Sequence, residues 1–160
     1  MKSRFLVRAA VYAALYAVLT LAPGLNALAY GQLQFRVSEA LLVFACFDPA
    51  AVVGLTVGTA LGNLGSPMLP IDVPLGSALT FVAAAAMYRI GPRVVALLAP
   101  VIVNGLGVAA MLALVLELPF WVSAAWVGLG EAGVMFSIGL ALLIVVRRQR
   151  ELFGITRPVA

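Results

Sequence analysis

Long apolar runs, separated by short breaks that contain glycine, proline or charged residues, occupy most of the chain. These runs predict six helical segments, at about 5–22, 34–47, 50–64, from Asp72 to 90, 94–116 and 120–146. Most of them approach or exceed the roughly 20 apolar residues that an α-helix needs to cross a bilayer. The second and third are shorter, and we expect them to be either tilted short helices or one re-entrant hairpin.

The breaks carry residues that end or begin helices. Pro23 and Gly24 end the first segment, and Pro49 is suited to the first turn of the third. The residues at 91–93 (Gly-Pro-Arg) and 117–119 (Glu-Leu-Pro) predict tight connections before and after the fifth segment. Asp72 follows a turn at 65–70 and is expected to cap the fourth segment or to interact with its dipole.

The composition agrees with a membrane protein built of helices. Hydrophobic residues make up 64% of the 160 residues and charged residues only 10%, with a mean hydropathy of +1.15, whereas soluble domains carry about 25% charge. A transmembrane barrel would show short alternating segments instead of long runs. The chain therefore predicts an all-α, polytopic fold with a single transmembrane domain over 1–160.

Apart from Arg36, the basic residues fall at three places: near the start, around residues 89–93, and near the end. Six crossings put all three places on one side of the membrane, as the positive-inside rule requires, so we predict an N-in, C-in topology. This distribution does not indicate a nucleic-acid surface. Cys46 is the only cysteine and histidine is missing, so neither a metal site nor a cofactor is expected.

Small residues recur every four positions in two segments. Gly54, Gly58 and Gly62 predict a close helix contact in the third segment. The first segment carries two such sets, which are Ala9, Ala13 and Ala17, and Ala10 and Ala14. Each alanine set fits either packing inside the bundle or docking of a partner helix, and the spacing does not choose between them.

The few polar residues inside the apolar segments predict a pocket that is open to the outside. Its candidate ligand-binding residues are Gln34, Arg36, Glu39, Asn63, Asp72, Asn104, Trp126 and Glu131. Arg36 and Glu39 are three apart and share a helix face, where they could also simply pair with each other. Asn104 could be helix-to-helix glue and Trp126 part of an interfacial belt.

Glu131 is the hardest of these residues to explain structurally, because no cation is near it in sequence and a mid-membrane carboxylate is costly. Carboxylates, amides and aromatics together suit a flat ligand with several N–H donors and perhaps a cationic arm.

Several stretches resemble the QueT family of queuosine-precursor transporters. They are 30–41 (YGQLQFRVSEAL), 49–55 (PAAVVGL), 58–63 and 72–80 (DVPLGSALT). This family is similar to the S components of energy-coupling factor (ECF) transporters. These are six-helix proteins of the bacterial cytoplasmic membrane that bind a micronutrient outside and join a transmembrane coupling subunit and two cytoplasmic ATPases.

The resemblance implies a 7-deazaguanine ligand, such as preQ0, preQ1 or queuine. Its ring-edge donors would suit Glu39 or Glu131, its carbonyl an amide such as Asn63, Asn104 or Gln34, and a cationic arm Asp72 or a second glutamate. One of the alanine faces of the first segment would match the docking motif of S components. The chain has no phosphate-binding loop of its own, which agrees with ATPases being supplied by partners.

Other functions remain open from sequence. They are an S component or small carrier for another vitamin, an ion or proton channel through Arg36, Glu39 and Glu131, and a structural membrane subunit without a ligand. An enzyme is the least supported, because no nucleophile–base pair or metal set is visible.

Overall fold

The structure is a computed structural model and describes residues 2–25 and 35–149. Within these ranges the chain forms helices and no strands. We number them α1 (Lys2–Leu21), α2 (Val37–Cys46), α3 (Pro49–Gly62), α4 (Leu69–Ile90), α5 (Val94–Leu116) and α6 (Phe120–Arg148). α2 is a 3₁₀ helix, and α4 and α6 each contain a π-helical stretch, at Asp72–Gly76 and Met135–Gly139.

Four of these described helices, α1, α4, α5 and α6, are long and apolar enough to cross a membrane. The all-helical fold predicted from the apolar runs is therefore confirmed. α2 and α3 are shorter apolar helices, as their sequence predicted. The predicted start of the second segment, Gln34, lies outside the described residues.

α1 and α3 pack along a seam of small residues. A Cβ atom built at Gly58 would lie 2.7 Å from Tyr16 Cβ and 2.9 Å from the Ala13 carbonyl oxygen. One built at Gly54 would collide with the Ala9 carbonyl and lie 2.8 Å from Tyr12 Cβ. The close contact predicted from the glycine spacing is confirmed, because the two backbones approach too closely for any larger residue.

Ala9 and Ala13 are buried in this seam, whereas Ala10 and Ala14 are exposed on the other side of α1 and Ala17 is half-buried. The two alanine sets that sequence spacing could not separate therefore occupy different environments. Ala9 and Ala13 pack inside the bundle, and Ala10 and Ala14 remain accessible.

α2 lies in the middle of the bundle and contacts α1, α3, α4 and α6. A 3₁₀ helix has 3.0 residues per turn, so its side chains form three rows. Two of these rows, 39/42/45 and 40/43/46, are fully buried, while Leu41 and Phe44 in the third are half-buried. Because α2 is buried on most sides, its side chains are nearly all apolar, and Glu39 near its beginning is its one carboxylate.

The apolar core fills one half of the bundle. It combines Tyr16 of α1 with the second halves of α2, α4 and α6 and the first halves of α3 and α5. Its largest fully buried members are Tyr16, Leu42, Leu55, Met87, Leu97, Met135 and Leu143. The opposite half contains the end of α3, the beginnings of α4 and α6, and the end of α5. That half has room for a cavity.

Three connections match their sequence signals. Asp48 Oδ1 accepts a hydrogen bond from the Ala50 N–H at 2.9 Å, and Pro49 opens α3. Gly91, at φ +81°, ends α4 with a backbone conformation that favours glycine. Glu117, at φ 54°, ends α5 on the surface.

Of the two roles predicted for Asp72, the helix cap is wrong, whereas its place in the first turn of the π-helical stretch agrees with an interaction with the helix dipole. α4 begins at Leu69, with Pro70 in its first turn, and Asp72 lies one turn inside. Met68 precedes the first turn of α4 and Ile71 precedes its π-helical stretch, and neither makes a side-chain cap. The Asp72 carboxylate instead accepts a hydrogen bond from the Ser66 hydroxyl.

Candidate ligand-binding cavity

A cavity of about 740 Å³ lies in the half of the bundle opposite the apolar core. Its size is within the roughly 300–1,000 Å³ of small-molecule sites. Seven of the eight predicted ligand-binding residues line it: Arg36, Glu39, Asn63, Asp72, Asn104, Trp126 and Glu131. The eighth, Gln34, lies outside the described residues. Residues from α2 to α6 thus meet in one hollow, as their sequence predicted.

Glu39 is 3% exposed and has a partner on each carboxylate oxygen. Tyr16 donates its hydroxyl hydrogen bond to Oε1, and Arg36 Nη1 lies 4.0 Å from the same atom. Asn104 Nδ2 donates to Oε2 at 3.4 Å. The predicted Arg36–Glu39 pair is confirmed, and the carboxylate is held in place from α1, α2 and α5.

Glu131 is 4% exposed and projects from α6 into the same polar region, beside Glu39 and Asn104. Its Oε1 atom has no hydrogen-bond partner among the described residues. A buried acceptor without a partner is rare in folded proteins, because it has lost its hydrogen bonds to water without replacement. Glu131 is therefore a buried carboxyl group of the cavity with an unused acceptor atom.

Asn63 lies at the end of α3, next to the π-helical stretch of α4. Its Nδ2 donates a hydrogen bond to the Asp72 carbonyl oxygen at 2.6 Å, while its buried Oδ1 has no partner in the described chain. A Cβ atom at Gly76 would lie 2.6 Å from Nδ2, so glycine at this position makes room for the amide. π-helical stretches often occur at functional sites, and this one shapes the cavity wall.

The cavity rim combines a polar loop with aromatic and apolar side chains. The Ser66 hydroxyl accepts a hydrogen bond from the Met68 N–H at 3.0 Å as well as donating to Asp72. Trp126 is 47% exposed and lines the cavity, whereas Trp121 is 77% exposed and does not. An indole at the rim offers a flat face for stacking on a planar ligand.

Sequence reasoning missed Tyr16, which is fully buried and is the only described donor from α1 to Glu39. A signal was present, because Tyr16 and Thr20 continue the buried face of Ala9 and Ala13 at helical spacing. The Thr20 hydroxyl lies 2.7 Å from that of Ser38 and ties the same face to α2. Thr80 and Ser123 also line the cavity and were not predicted.

A second polar cluster joins α1 to the start of α3, away from the cavity lining. Asp48 is buried, and its Oδ2 lies 3.4 Å from Arg8 Nη1 and 3.3 Å from the Tyr12 hydroxyl. The Asp48 side chain therefore combines a helix cap with an ion pair. Within residues 2–25 and 35–149, no group of three histidine, cysteine, aspartate or glutamate side chains is placed to hold a metal ion.

Comparison with known proteins agrees with the motifs. The chain is 41% identical over 81 residues to the queuosine precursor transporter QueT of Lactococcus lactis subsp. cremoris (strain MG1363). That alignment covers 51% of this chain and 47% of the relative, so it spans about half the length of each. No solved structure matches the chain. A family model described as QueT transporter matches residues 6–148, and the chain therefore belongs to the QueT transporter family.

Proposed function

We propose that this protein is the substrate-binding S component of an ECF-type importer and that it takes up a queuosine precursor. The observation that carries the proposal is the meeting of seven predicted polar and aromatic residues in one cavity, in a chain of the QueT transporter family. The alternative of a structural subunit without a ligand would not need two unpartnered acceptors in an otherwise well-packed bundle.

The ligand that suits the cavity is a 7-deazaguanine. This flat bicyclic ring carries adjacent N–H and amino donors on one edge, and carboxylate and amide acceptors line the cavity. Trp126 is placed to stack on its face. The relative from Lactococcus lactis, named as a queuosine precursor transporter, supports the same class of substrate.

The proposed topology has six crossings, with both termini in the cytoplasm of a bacterium and the cavity open to the outside. The packed apolar core then lies on the cytoplasmic side and closes the cavity from below. Arg89, Arg93, Arg147 and Arg148 end or follow helices at that same side, as the positive-inside rule requires.

The proposed partners are a transmembrane coupling subunit and two cytoplasmic ATPases. Their docking face on α1 is the exposed pair Ala10 and Ala14, because Ala9 and Ala13 are already occupied by the glycines of α3. Small side chains on an exposed face allow a partner helix to approach closely within the membrane.

Ligand extraction and titration test the proposed function. Purified protein in detergent is extracted for mass analysis, and then titrated with preQ0, preQ1, queuine and a panel of vitamins while tryptophan fluorescence is followed. We expect saturable binding of a deazaguanine and no binding of the vitamins. Tight binding of a vitamin instead, or of nothing, would overturn the proposal.

The two tryptophans supply an internal control. Trp126 lines the cavity and Trp121 does not, so Trp121→Phe should keep the fluorescence response to the ligand and Trp126→Phe should lose it. A response that depends on Trp121 would place the ligand elsewhere.

A further inference from the structure

Two buried side-chain atoms in the described part of the chain have no hydrogen-bond partner: Asn63 Oδ1 and Glu131 Oε1. Both belong to residues that line the cavity, and they come from α3 and α6. Buried polar atoms are nearly always paired in folded proteins. Two exceptions in the same cavity indicate that the missing partners belong to a ligand.

The orientation of the Asn63 amide is determined by its neighbour. The other end of this amide lies 2.6 Å from the Asp72 carbonyl oxygen, which can only accept a hydrogen bond, so the atom there is the N–H₂ group. The atom left without a partner is therefore the amide oxygen, an acceptor. Glu131 Oε1 is a carboxyl oxygen, so each of the two unpartnered atoms is able to accept a hydrogen bond from a ligand donor.

Glu39 differs from Glu131 although both are buried carboxylates of one cavity. Both oxygens of Glu39 already accept hydrogen bonds, from Tyr16 and Asn104, and Arg36 lies beside them. A ligand that bound Glu39 directly would have to compete with these partners. Glu131 can bind a ligand donor without breaking a hydrogen bond made by its Oε1 atom.

We propose that Glu131 and Asn63 are the two acceptors that recognise the ligand, and that Glu39 is a positioning residue that holds Asn104 and Arg36 in place. Resting on the proposed function, this assigns the ring N–H and amino edge of the 7-deazaguanine to Glu131. A further donor on another part of the ligand is assigned to Asn63 Oδ1. The cavity thus selects ligands that carry hydrogen-bond donors on two sides, one facing Glu131 on α6 and one facing Asn63 at the end of α3.

A pair of ligands tests the Glu131 assignment. The deazaguanine that binds best to the unaltered protein is compared with its counterpart that lacks the ring amino group. Loss of the amino donor would leave a buried acceptor of Glu131 unpaired, which should weaken binding about 10- to 100-fold. In Glu131→Gln this discrimination between the two ligands should fall to within about threefold. The reason is that glutamine replaces one acceptor oxygen of the carboxyl group by an N–H₂ donor, so it no longer matches the ring N–H and amino edge.

Glu39→Gln is the matched variant, since it makes the same chemical change in the neighbouring carboxylate. We expect it to weaken binding of both ligands by the same factor and to keep the full discrimination, because Glu39 does not contact the amino group. Persistence of the discrimination in Glu131→Gln, or its loss in Glu39→Gln, would overturn the assignment. Failure of the unaltered protein to bind any deazaguanine would overturn the proposed function instead.

Gly76→Ala tests Asn63 without changing a polar group. The new Cβ atom would lie 2.6 Å from Asn63 Nδ2 and would therefore displace the amide. Ligand affinity should then fall at least about tenfold, which corresponds to the loss of one hydrogen bond. Discrimination by the ring amino group should persist. Gly128→Ala is the control, because a Cβ there meets nothing within 4 Å. Unchanged affinity in Gly76→Ala would exclude Asn63 from the site.

Discussion

The carboxylate of Glu39 depends on a tyrosine from another helix. Tyr16 is completely buried, and its hydroxyl reaches Glu39 Oε1 from α1. Ionisable groups within a membrane protein are costly unless they are paired. The contact therefore joins the packing of α1 to the geometry of the cavity.

Replacing Tyr16 by phenylalanine should destabilise the protein by about 1–3 kcal/mol, because a buried acceptor loses its donor. Ligand affinity should fall as well, since Glu39 is released from one of its partners. Thermal unfolding in detergent and ligand titration measure the two effects.

Tyr12→Phe is the comparison on the same helix. Its hydroxyl contacts Asp48 at 3.3 Å, away from the cavity lining, so we expect ligand affinity to remain unchanged. Equal losses of affinity in Tyr12→Phe and Tyr16→Phe would show that Tyr16 has no particular link to the cavity.

Asp48 has two roles that substitution can separate. Asp48→Asn keeps an oxygen for the Ala50 N–H but loses the charge that pairs with Arg8. Asp48→Ala loses both, and should be about 1 kcal/mol less stable than Asp48→Asn, which is the usual contribution of an N-cap. Denaturation of the two variants side by side measures this difference, and equal stabilities would contradict a capping contribution.

At this scale the sequence predicted which polar residues converge but not how they pair. Glu39, Asn63, Asn104 and Glu131 were predicted because carboxylates and amides are conspicuous in apolar segments. Tyr16 was missed because an aromatic residue in such a segment is usually a packing residue. Asp72 was misassigned because the helix begins one turn earlier, at Leu69 and Pro70, than its acidic side chain suggested.

Helix packing is closest where α1 crosses α3. Gly54 and Gly58 face backbone and Cβ atoms of α1, and the fit leaves no space for a methyl group. The same seam contains Tyr16, so it supports the cavity from behind. The glycines of α3 therefore affect both the stability and the binding site.

Gly58→Ala should lower the free energy of unfolding by about 1–3 kcal/mol, as other overpacked substitutions do. Because the added methyl group would press on Tyr16 Cβ at 2.7 Å, ligand affinity should fall too. Gly128→Ala, whose methyl group meets nothing within 4 Å, should leave affinity unchanged and should not lower the stability. Unaltered stability of Gly58→Ala in a thermal melt would contradict the described seam.

Helix boundaries could be predicted where glycine or proline interrupts the chain. Residues 91–93 and 117–119 delimit α5 as expected, because the glycine and prolines in them interrupt a helix. The 3₁₀ conformation of α2 could not be predicted. The eight apolar residues that follow or precede Ser38 and Glu39 in this helix show no clear period in sequence, and the choice of winding depends on the helices that surround α2.

The molecule as a whole separates a packed half from a hollow half. Apolar side chains fill the half that contains the last turns of α4 and α6, and the cavity occupies the other. Such an arrangement gives a ligand access from one side only. The orientation of the hollow half in the membrane therefore determines from which side a ligand enters.

Single cysteines in a Cys46→Ser background report this orientation. Pro67 lies in the exposed loop before α4, on the cavity side, and Arg93 is exposed in the loop after it. In intact cells a membrane-impermeant maleimide should label Pro67→Cys and should label Arg93→Cys only after permeabilisation. The reverse pattern would contradict the N-in, C-in topology.

Docking of the proposed coupling subunit is tested by a bulky residue on α1. Ala10→Trp and Ala14→Trp alter an exposed face, so both should keep ligand affinity and lose copurification with the coupling subunit and ATPases. Leu15→Trp, on another exposed part of α1, should keep both properties. Normal assembly of both alanine variants would exclude this face as the docking site.

The 3₁₀ winding of α2 has a consequence for the length of that segment. At a rise of about 2.0 Å per residue its ten residues extend roughly 20 Å, whereas an α-helix of the same residues would reach only about 15 Å. Its first turn carries Glu39, which Tyr16 holds, and its end leads directly into Asp48. Insertion or deletion of one residue would therefore move one anchored end relative to the other, so this segment should tolerate changes of side chain far better than changes of length.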